Sequence, residues 1–410
     1  MDGPAEVLGA GILLGRSDVS RASDPSLPCV VFALRFGSDA GVVQKFFAHQ
    51  RDLVARELQS SARFVLAYPS LCERSAYVPK WSQEVQIDFY DLSEENRRKI
   101  SRFAADNRVC LVVFQGASPG EIDTAFFRRL GVNTANTDDA SFDNTARQSI
   151  PVQFTKALLR RGLKRNLHQL YIANSSGQVE FLLNYVKLPR SRVKLVRCGI
   201  DTDFYRPGDR IAACRRLELD PGVTWIMAAS QSRPEKRVDG LVHAMQRVMD
   251  AHPDKPIGFF YVGGGAKLQE WRDLARRVLP GHRWRFFGRQ SEVQPFYQAA
   301  SIFIHGAERE SFGLVLAEAM ASGLPIVATD SYGPAEIVEQ NTTGFLVGKS
   351  DWEGLVAAIL RYLDSPDLRQ AHGEAARQRC VANFAISRAG VEMAEALRPL
   401  IPSNPQKERA

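Results

Sequence analysis

Glu310 and Glu318 are separated by seven residues and bracket a glycine turn, Glu310-Ser311-Phe312-Gly313-Leu314, that follows an apolar run ending at Phe303 and Ile304. The run reads as a buried strand, and the stretch from Leu314 reads as a helix. The amides of Phe312, Gly313 and Leu314 would then lie at a helix N-terminus, where unpaired N–H groups and the positive end of the helix dipole favour an anion such as a diphosphate. A carboxylate repels an anion, so the two glutamates must do other work, and both can accept hydrogen bonds from hydroxyls. Glu318 lies one turn beyond Leu314 on the same helix face. There it suits the paired hydroxyls of a ribose, while Glu310, ahead of the helix, suits the hydroxyls of a second sugar. Two glutamates at one spacing are common, and for the bare spacing the plainer reading is an amphipathic helix with one solvated glutamate and one in its first turn as a dipole complement.

Such a turn needs a scaffold. With 410 residues and 45% apolar content the chain can bury two ordinary cores, so two domains are expected. Strand-like and helix-like runs alternate throughout, the pattern of parallel sheets covered by helices on both faces. In the first half, strands are predicted at Cys29–Phe36, Arg63–Tyr68, Gln86–Tyr90, Cys110–Phe114, Val132–Asn136 and Val193–Arg197, with helices at Val42–Gln59, Glu94–Asn107, Glu121–Leu130 and Gln178–Val186. Turn residues cluster over Gly199–Gly208 and mark a linker. In the second half, strands are predicted at Thr224–Ala229, Ile257–Val262, Arg283–Phe287 and, as the last, Pro325–Thr329. Helices are predicted at Val238–Asp250, Lys267–Val278, Trp352–Asp364 and Asp367–Asn383.

No run approaches the length of a membrane span, and the apolar patch Val7–Leu14 is short and lacks a basic leader, so residues 1–28 read as a loose N-terminal extension. Six scattered cysteines with no C-x-x-C suit a reducing cytosol and argue against a zinc site. The net charge of +7 calls for anionic partners. Nucleic acid is disfavoured by the lack of a basic and aromatic binding motif. The densest basic cluster, Lys156, Arg160, Arg161, Lys164 and Arg165, alternates with Phe154, Leu158, Leu159 and Leu163. It fits a half-buried helix with a solvated basic face, or a helix lying on an anionic membrane.

From Glu310 the chain runs Glu-Ser-Phe-Gly-Leu-Val-Leu-Ala-Glu318-Ala-Met-Ala-Ser-Gly323-Leu-Pro325-Ile-Val-Ala-Thr329, followed by Gly333-Pro-Ala-Glu336 and Thr343-Gly344. This resembles glycosyltransferase family 4, the retaining transferases of the GT-B fold, whose pattern is close to E-G-F-G-L-x-x-x-E-A-M-A-x-G-x-P-V-V-A-T, then G-G-x-x-E and T-G. The resemblance extends more weakly from about residue 30 to about residue 385. It implies an α/β protein in which two doubly wound, Rossmann-like domains face each other across a cleft. Residues 29–205 would form the acceptor-side domain, 206–387 the nucleotide-sugar-binding domain, and 388–410 a C-terminal helix crossing back to the first domain, plus a tail.

The same resemblance places a nucleotide-sugar donor against Glu310, Ser311, Phe312, Gly313, Leu314 and Glu318. Family members supply an arginine and, five residues later, a lysine after the first strand of the second domain. Here Lys236 matches the lysine, Gln231 occupies the arginine position, and Arg233 is a substitute cation two residues on. Such groups stabilise the leaving diphosphate as its charge grows. Gly263-Gly-Gly-Ala-Lys267 is not G-x-G-x-x-G, and Arg283–Phe287 ends without the acidic residue a dinucleotide site wants, so Gly263 implies the family's own loop bordering the nucleotide. Backbone near Arg289 would hold the base, and Gly37 and Gly41 would let the first domain approach the donor.

Lys236 and Glu310 are the implied catalytic pair. Asp138 or Asp139 would orient the acceptor, because the histidine usual in that region is missing between Cys110 and Arg147. Those aspartates also suit a simple strand-end turn. His305 either lines the cleft or is structural. Asp201-Thr-Asp203 has the form of a D-x-D metal site but falls in a segment like the family's N-G-V-D-x-x-x-F-x-P, with Cys198 at the asparagine. Neither metal nor cofactor is expected, since protein cations would neutralise the diphosphate.

The implied activity is transfer of a hexose from a UDP- or GDP-sugar, with retention, to a hydroxyl of a glycan, glycolipid or small molecule. The setting would be bacterial polysaccharide, lipopolysaccharide or glycolipid synthesis in the cytoplasm, at the inner membrane face if the basic cluster binds lipid. The alternatives are a nucleotide-sugar 2-epimerase of the same architecture, or a catalytically weak partner subunit of another transferase, the latter motivated by Gln231, Cys198 and the missing histidine.

Overall fold

The computed structural model describes residues 24–34, 52–69, 83–117, 121–138 and 167–402. Within these, the strands pair entirely in parallel. The first sheet comprises β1 (Cys29–Ala33), β2 (Arg63–Tyr68), β3 (Gln83–Gln86), β4 (Val109–Gln115), β5 (Asn133–Asp138), β6 (Leu170–Ala173) and β7 (Val193–Leu195), in the order β3-β2-β1-β4-β5-β6-β7. The second comprises β8 (Thr224–Ala229), β9 (Ile257–Val262), β10 (Trp284–Gly288), β11 (Ile302–His305), β12 (Ile326–Thr329) and β13 (Gly344–Val347), in the order β10-β9-β8-β11-β12-β13. Each sheet therefore reverses direction once, between β1 and β4 and between β8 and β11, and ligands of doubly wound sheets bind beyond the strand ends at that point.

Side chains of successive strand residues go to opposite faces, and both faces are covered. In β8, Trp225, Met227 and Ala229 enter one buried cluster while Ile226 and Ala228 enter the other. In β1, Val30 and Phe32 face one cluster and Cys29, Val31 and Ala33 face the other. Each large apolar side chain so enclosed contributes on the order of 1.5–3 kcal/mol relative to exposure.

Several elements depart from the sequence expectations. β1 ends at Ala33 rather than Phe36, and the third strand is Gln83–Gln86, ahead of the Gln86–Tyr90 stretch expected to form it. Helix 178–186 is a five-residue α-helix, Ser176–Glu180, that widens into a π turn over Phe181–Tyr185. Thr329 does not close the second sheet, because a short helix, Gly333–Ile337, leads to β13. The anticipated helix Val42–Gln59 is described only over 52–58, and the basic cluster 156–165 lies outside the described residues. No helix among the described residues is long and apolar enough to cross a membrane.

The chain passes between the lobes twice, side by side. Ile200 bridges Ala385 in parallel, with Ile200 N donating to Phe384 O at 2.6 Å and Ile386 N to Ile200 O at 2.9 Å. Beyond that bridge the helix Ile386–Leu397 leaves the second lobe, and Met393, Ala394 and Leu397 are buried with Val30, Phe32 and Leu66 of the first. A carboxylate also joins the lobes. Glu336 accepts from Ser176 N at 2.7 Å and Ser176 Oγ at 3.2 Å, and pairs with Arg197 Nε.

Candidate active site

The C-terminal ends of β8 and β11 meet at the reversal point of the second sheet, and three segments converge there. The segment after β8, residues 230–237, turns through a 3₁₀ helix at Pro234–Lys236. Arg237 fixes that turn: it adopts a left-handed φ of 49°, forms an ion pair with Glu308, and lies over the Trp352 ring at 5.5 Å. Glu308 N donates to Glu235 O at 3.0 Å, which stitches the loop after β11 to the loop after β8. That stitch sets Lys236 against Glu310, with Nζ 2.6 Å from Oε2, although the two are 74 residues apart.

Both partners of this pair are largely enclosed, at 16% and 14% side-chain exposure, so neither is an ordinary solvated surface charge. His305, the last residue of β11, is buried beneath them with Nε2 3.4 Å from the same Glu310 oxygen. Burial pushes the Glu310 carboxyl up, but the His305 contact and the Lys236 ammonium outweigh it and hold the group at about 2. Burial pushes the His305 imidazole down, Glu310 pulls it up, and Lys236 opposes protonation, leaving a net downward shift.

The turn after Glu310 has the form an anion needs. Gly313, at φ 97°, precedes the helix Leu314–Ala321, whose first intrahelical bond runs from Leu316 N to Gly313 O at 2.9 Å. Among the described residues, the amides of Phe312, Gly313, Leu314 and Val315 donate to no backbone carbonyl. They are the unpaired donors of a helix start. The turn is braced from the far side by Gly333, whose N donates to Glu310 O at 2.9 Å.

A Cβ at Gly333 would stand 2.2 Å from the Phe312 carbonyl oxygen. Because that obstacle is backbone and cannot rotate away, Gly333→Ala is expected to cost about 1–3 kcal/mol and to displace the anion turn. The measurable outcome is a lowered Tm together with weaker nucleotide binding. An unchanged Tm would show that the two segments do not press together.

Glu318 occupies the next turn of the same helix and is buried. Tyr297 Oη donates to Glu318 Oε2 at 2.5 Å, and Tyr205 supplies a second hydroxyl to the same carboxyl. Burial raises the Glu318 group to about 7 despite the lowering effect of both hydroxyls. Tyr205 is held there by Arg377, whose Nη1 donates to the carbonyls of Thr202 at 2.9 Å, Tyr205 at 2.8 Å and Ala321 at 2.7 Å. One arginine thus ties the linker to the end of the helix that carries Glu318.

The remaining candidates are distributed unevenly. Gly263 borders the loop after β8, where its absent side chain matters: a Cβ would stand 1.8 Å from Ser230 O at φ 152°. Ser232 N donates to Gly264 O at 2.9 Å, and Lys267 N returns to Ser232 O at 3.0 Å. Gln231 and Arg233 flank buried Ser232 and are exposed, and Arg289 is exposed just past β10, its Cβ near Gly264. Asp138 is the last residue of β5 rather than lying beyond the strand, because Thr137 and Asp138 pair with Ile172 and Ala173 of the unanticipated β6. Gly37, Gly41 and Asp139 lie outside the described residues. Asp201 caps its own turn, its Oδ1 accepting from Asp203 N at 3.1 Å and Phe204 N at 2.9 Å.

Sequence reasoning passed over Tyr205, Tyr297, Arg197 and Arg377. Only Tyr205 carried a local signal, standing where the family segment has its phenylalanine. Glu336 was visible as a motif residue but without a role.

Two facing, doubly wound lobes define the GT-B class of fold. Solved structures agree over nearly the whole chain. Sucrose-phosphate synthase from Thermosynechococcus elongatus superposes with a TM-score of 0.71 at 19% identity, over 91% of this chain and 99% of that one. The Anabaena protein Alr3699/HepE, solved in complex with UDP and glucose, superposes with a TM-score of 0.72 at 16% identity, over 91% and 100%.

Residues 212–379 match the family model of glycosyl transferases group 1. A D-inositol 3-phosphate glycosyltransferase of Nocardia farcinica is 33% identical over 199 residues, 46% of this chain and 44% of that protein. The lipopolysaccharide core biosynthesis mannosyltransferase LpcC of Rhizobium leguminosarum bv. viciae is 28% identical over 250 residues, covering 60% and 66%. In the leading matches the chain spans about half the length of the curated relatives.

Proposed function

We propose that the protein is a retaining glycosyltransferase that moves a hexose from a nucleotide-diphosphate sugar to an acceptor hydroxyl in the cleft between its lobes. The observation that carries this reading is the placement of the Lys236–Glu310 pair beside four amides that donate to no backbone carbonyl among the described residues, at the reversal point of the second sheet. The amides from Phe312 to Val315 receive the diphosphate, and Lys236 leaves Glu310 to neutralise the charge that grows on it as the sugar departs. Glu310 is then released toward hexose hydroxyls, and Glu318 toward the ribose. The relatives' names, an inositol-phosphate glycosyltransferase and a lipopolysaccharide mannosyltransferase, support a sugar donor and an alcohol acceptor. The UDP and UDP-glucose complexes of a like-folded protein support UDP among the candidate nucleotides. Asp138 and Asp139 are proposed to orient the acceptor, with glycan and glycolipid hydroxyls as the class.

A thermal-shift screen with UDP, GDP and ADP, followed by their sugars, tests the reading. A ligand present at one hundred times its Kd raises stability by about 2.7 kcal/mol. At roughly 2–4 °C per kcal/mol for lobes of this size, the cognate nucleotide is expected to raise Tm by about 5–10 °C. No shift with any of the six would sink the donor assignment. A changed sugar released without acceptor would replace transfer by epimerisation.

A further inference from the structure

His305 has no part in the reaction as described above, yet its position is unusual. It is 3% exposed at the end of a core strand, and among the described residues Nε2 has no hydrogen-bond partner other than its long 3.4 Å approach to Glu310 Oε2. The oxygen it faces is the one that Lys236 already holds at 2.6 Å. Two nitrogen groups therefore converge on a single carboxylate oxygen, and only one is close. The charged groups that act on the imidazole are Glu310, from the turn after β11, and Lys236, from the loop after β8. On the side of β12 its register neighbour is Ala328, which carries no charge.

In this arrangement one ammonium balances one carboxylate, and burial together with the Lys236 charge disfavours protonation of the imidazole. A diphosphate seated on the free amides brings further negative charge and competes for Lys236. If Lys236 turns to it, Glu310 is left enclosed without a cation, and the positive charge that opposed protonation of His305 is withdrawn and neutralised. An enclosed carboxylate without a counter-charge is strongly disfavoured. The group placed to supply that charge is His305, a few tenths of an ångström from an ordinary hydrogen-bond distance.

We propose that His305 is a positioning residue for Glu310 that takes up a proton from solvent when the donor's diphosphate draws Lys236 away, so that donor binding and proton uptake are linked. This rests on the assignment of the diphosphate to Lys236 and the turn after Glu310. The only bond made is N–H on the imidazole. Its role is to keep Glu310 ionised and fixed for the sugar hydroxyls at the moment its first partner leaves.

Linkage fixes the sign: a ligand that binds together with a proton binds more weakly as pH rises, by up to about tenfold per pH unit. The experiment is isothermal titration of the full chain with UDP-glucose, GDP-mannose and ADP-glucose at pH 7, in buffers of different ionisation enthalpy. Nucleotide sugars are the right probes because their diphosphate bears no proton that titrates near neutrality. The protein is expected to take up about one proton per donor bound, and His305→Gln to take up none while retaining measurable heat. Donor binding without proton uptake in the unaltered protein overturns the inference and leaves the functional reading standing. Equal uptake in His305→Gln also overturns it. If none of the three sugars binds, the functional reading fails and takes this inference with it.

Discussion

Lys236→Ala is expected to lower kcat with the cognate donor by about 10²–10³-fold, the usual loss when a group that stabilises developing negative charge is removed. The change in KM should be smaller if, as proposed, the amides of Phe312–Val315 hold the diphosphate in the ground state. A structural consequence accompanies the kinetic one, since Glu310 loses its close cation and keeps only the His305 approach. With the ammonium absent, burial is opposed by less, and the Glu310 carboxyl rises from about 2. A group held below its unfolded value contributes stability above that unfolded value, near 4.5, and loses it as pH falls toward about 2. The variant should therefore unfold in acid at a higher pH than the parent. Lys236→Arg keeps the charge but not the compact ammonium, so it should restore the acid profile more fully than the rate. Turnover by Lys236→Ala equal to the parent's, measured with a cognate donor and acceptor, would remove Lys236 from the chemistry.

The second large effect is expected at Glu318, where stability and affinity should move in opposite directions. Burial raises its carboxyl to about 7 from an ordinary 4.5. Between these values the folded protein holds a proton that the unfolded chain releases, so stability declines as pH rises through the window and stays lower above it. Glu318→Gln keeps an oxygen for the Tyr297 hydroxyl and removes the titration. At pH 8 it should be more stable than the parent by on the order of 3 kcal/mol, with the advantage fading toward pH 5. Nucleotide affinity should fall by about tenfold or more, since hydrogen bonds to a charged acceptor are the strong ones. Thermal melts from pH 5 to 8 beside a nucleotide titration read both effects. A stability difference that does not change with pH would show that Glu318 does not titrate there.

Several features of the fold could be read directly from the residues. Thr224–Ala229 and Ile257–Val262 are continuous apolar runs between turn residues and are strands β8 and β9 with those bounds. The helix beginning at Leu314 is announced by Gly313, whose left-handed φ few other residues tolerate. The strands not read from the sequence are short. Leu170–Ala173 is four buried residues with no polar alternation, and Gly344–Val347 starts with a glycine, so neither has enough length to show a period.

What the sequence by itself determined is local: alternating strands and helices, and a glycine turn whose amides must go unpaired at a helix start. Backbone geometry and nearest-neighbour spacing are enough for that. The tertiary structure alone decided the neighbours of each charged side chain. Glu310 faces Lys236 because a single backbone bond from Glu308 to Glu235 joins two loops far apart in sequence. Glu318 is enclosed because Arg377 pins the linker that carries Tyr205. The lobes are joined by Glu336 because Arg197 and Ser176 arrive from the other sheet. The charge state of a carboxyl depends on what surrounds it within a few ångströms, and packing between distant segments sets those surroundings.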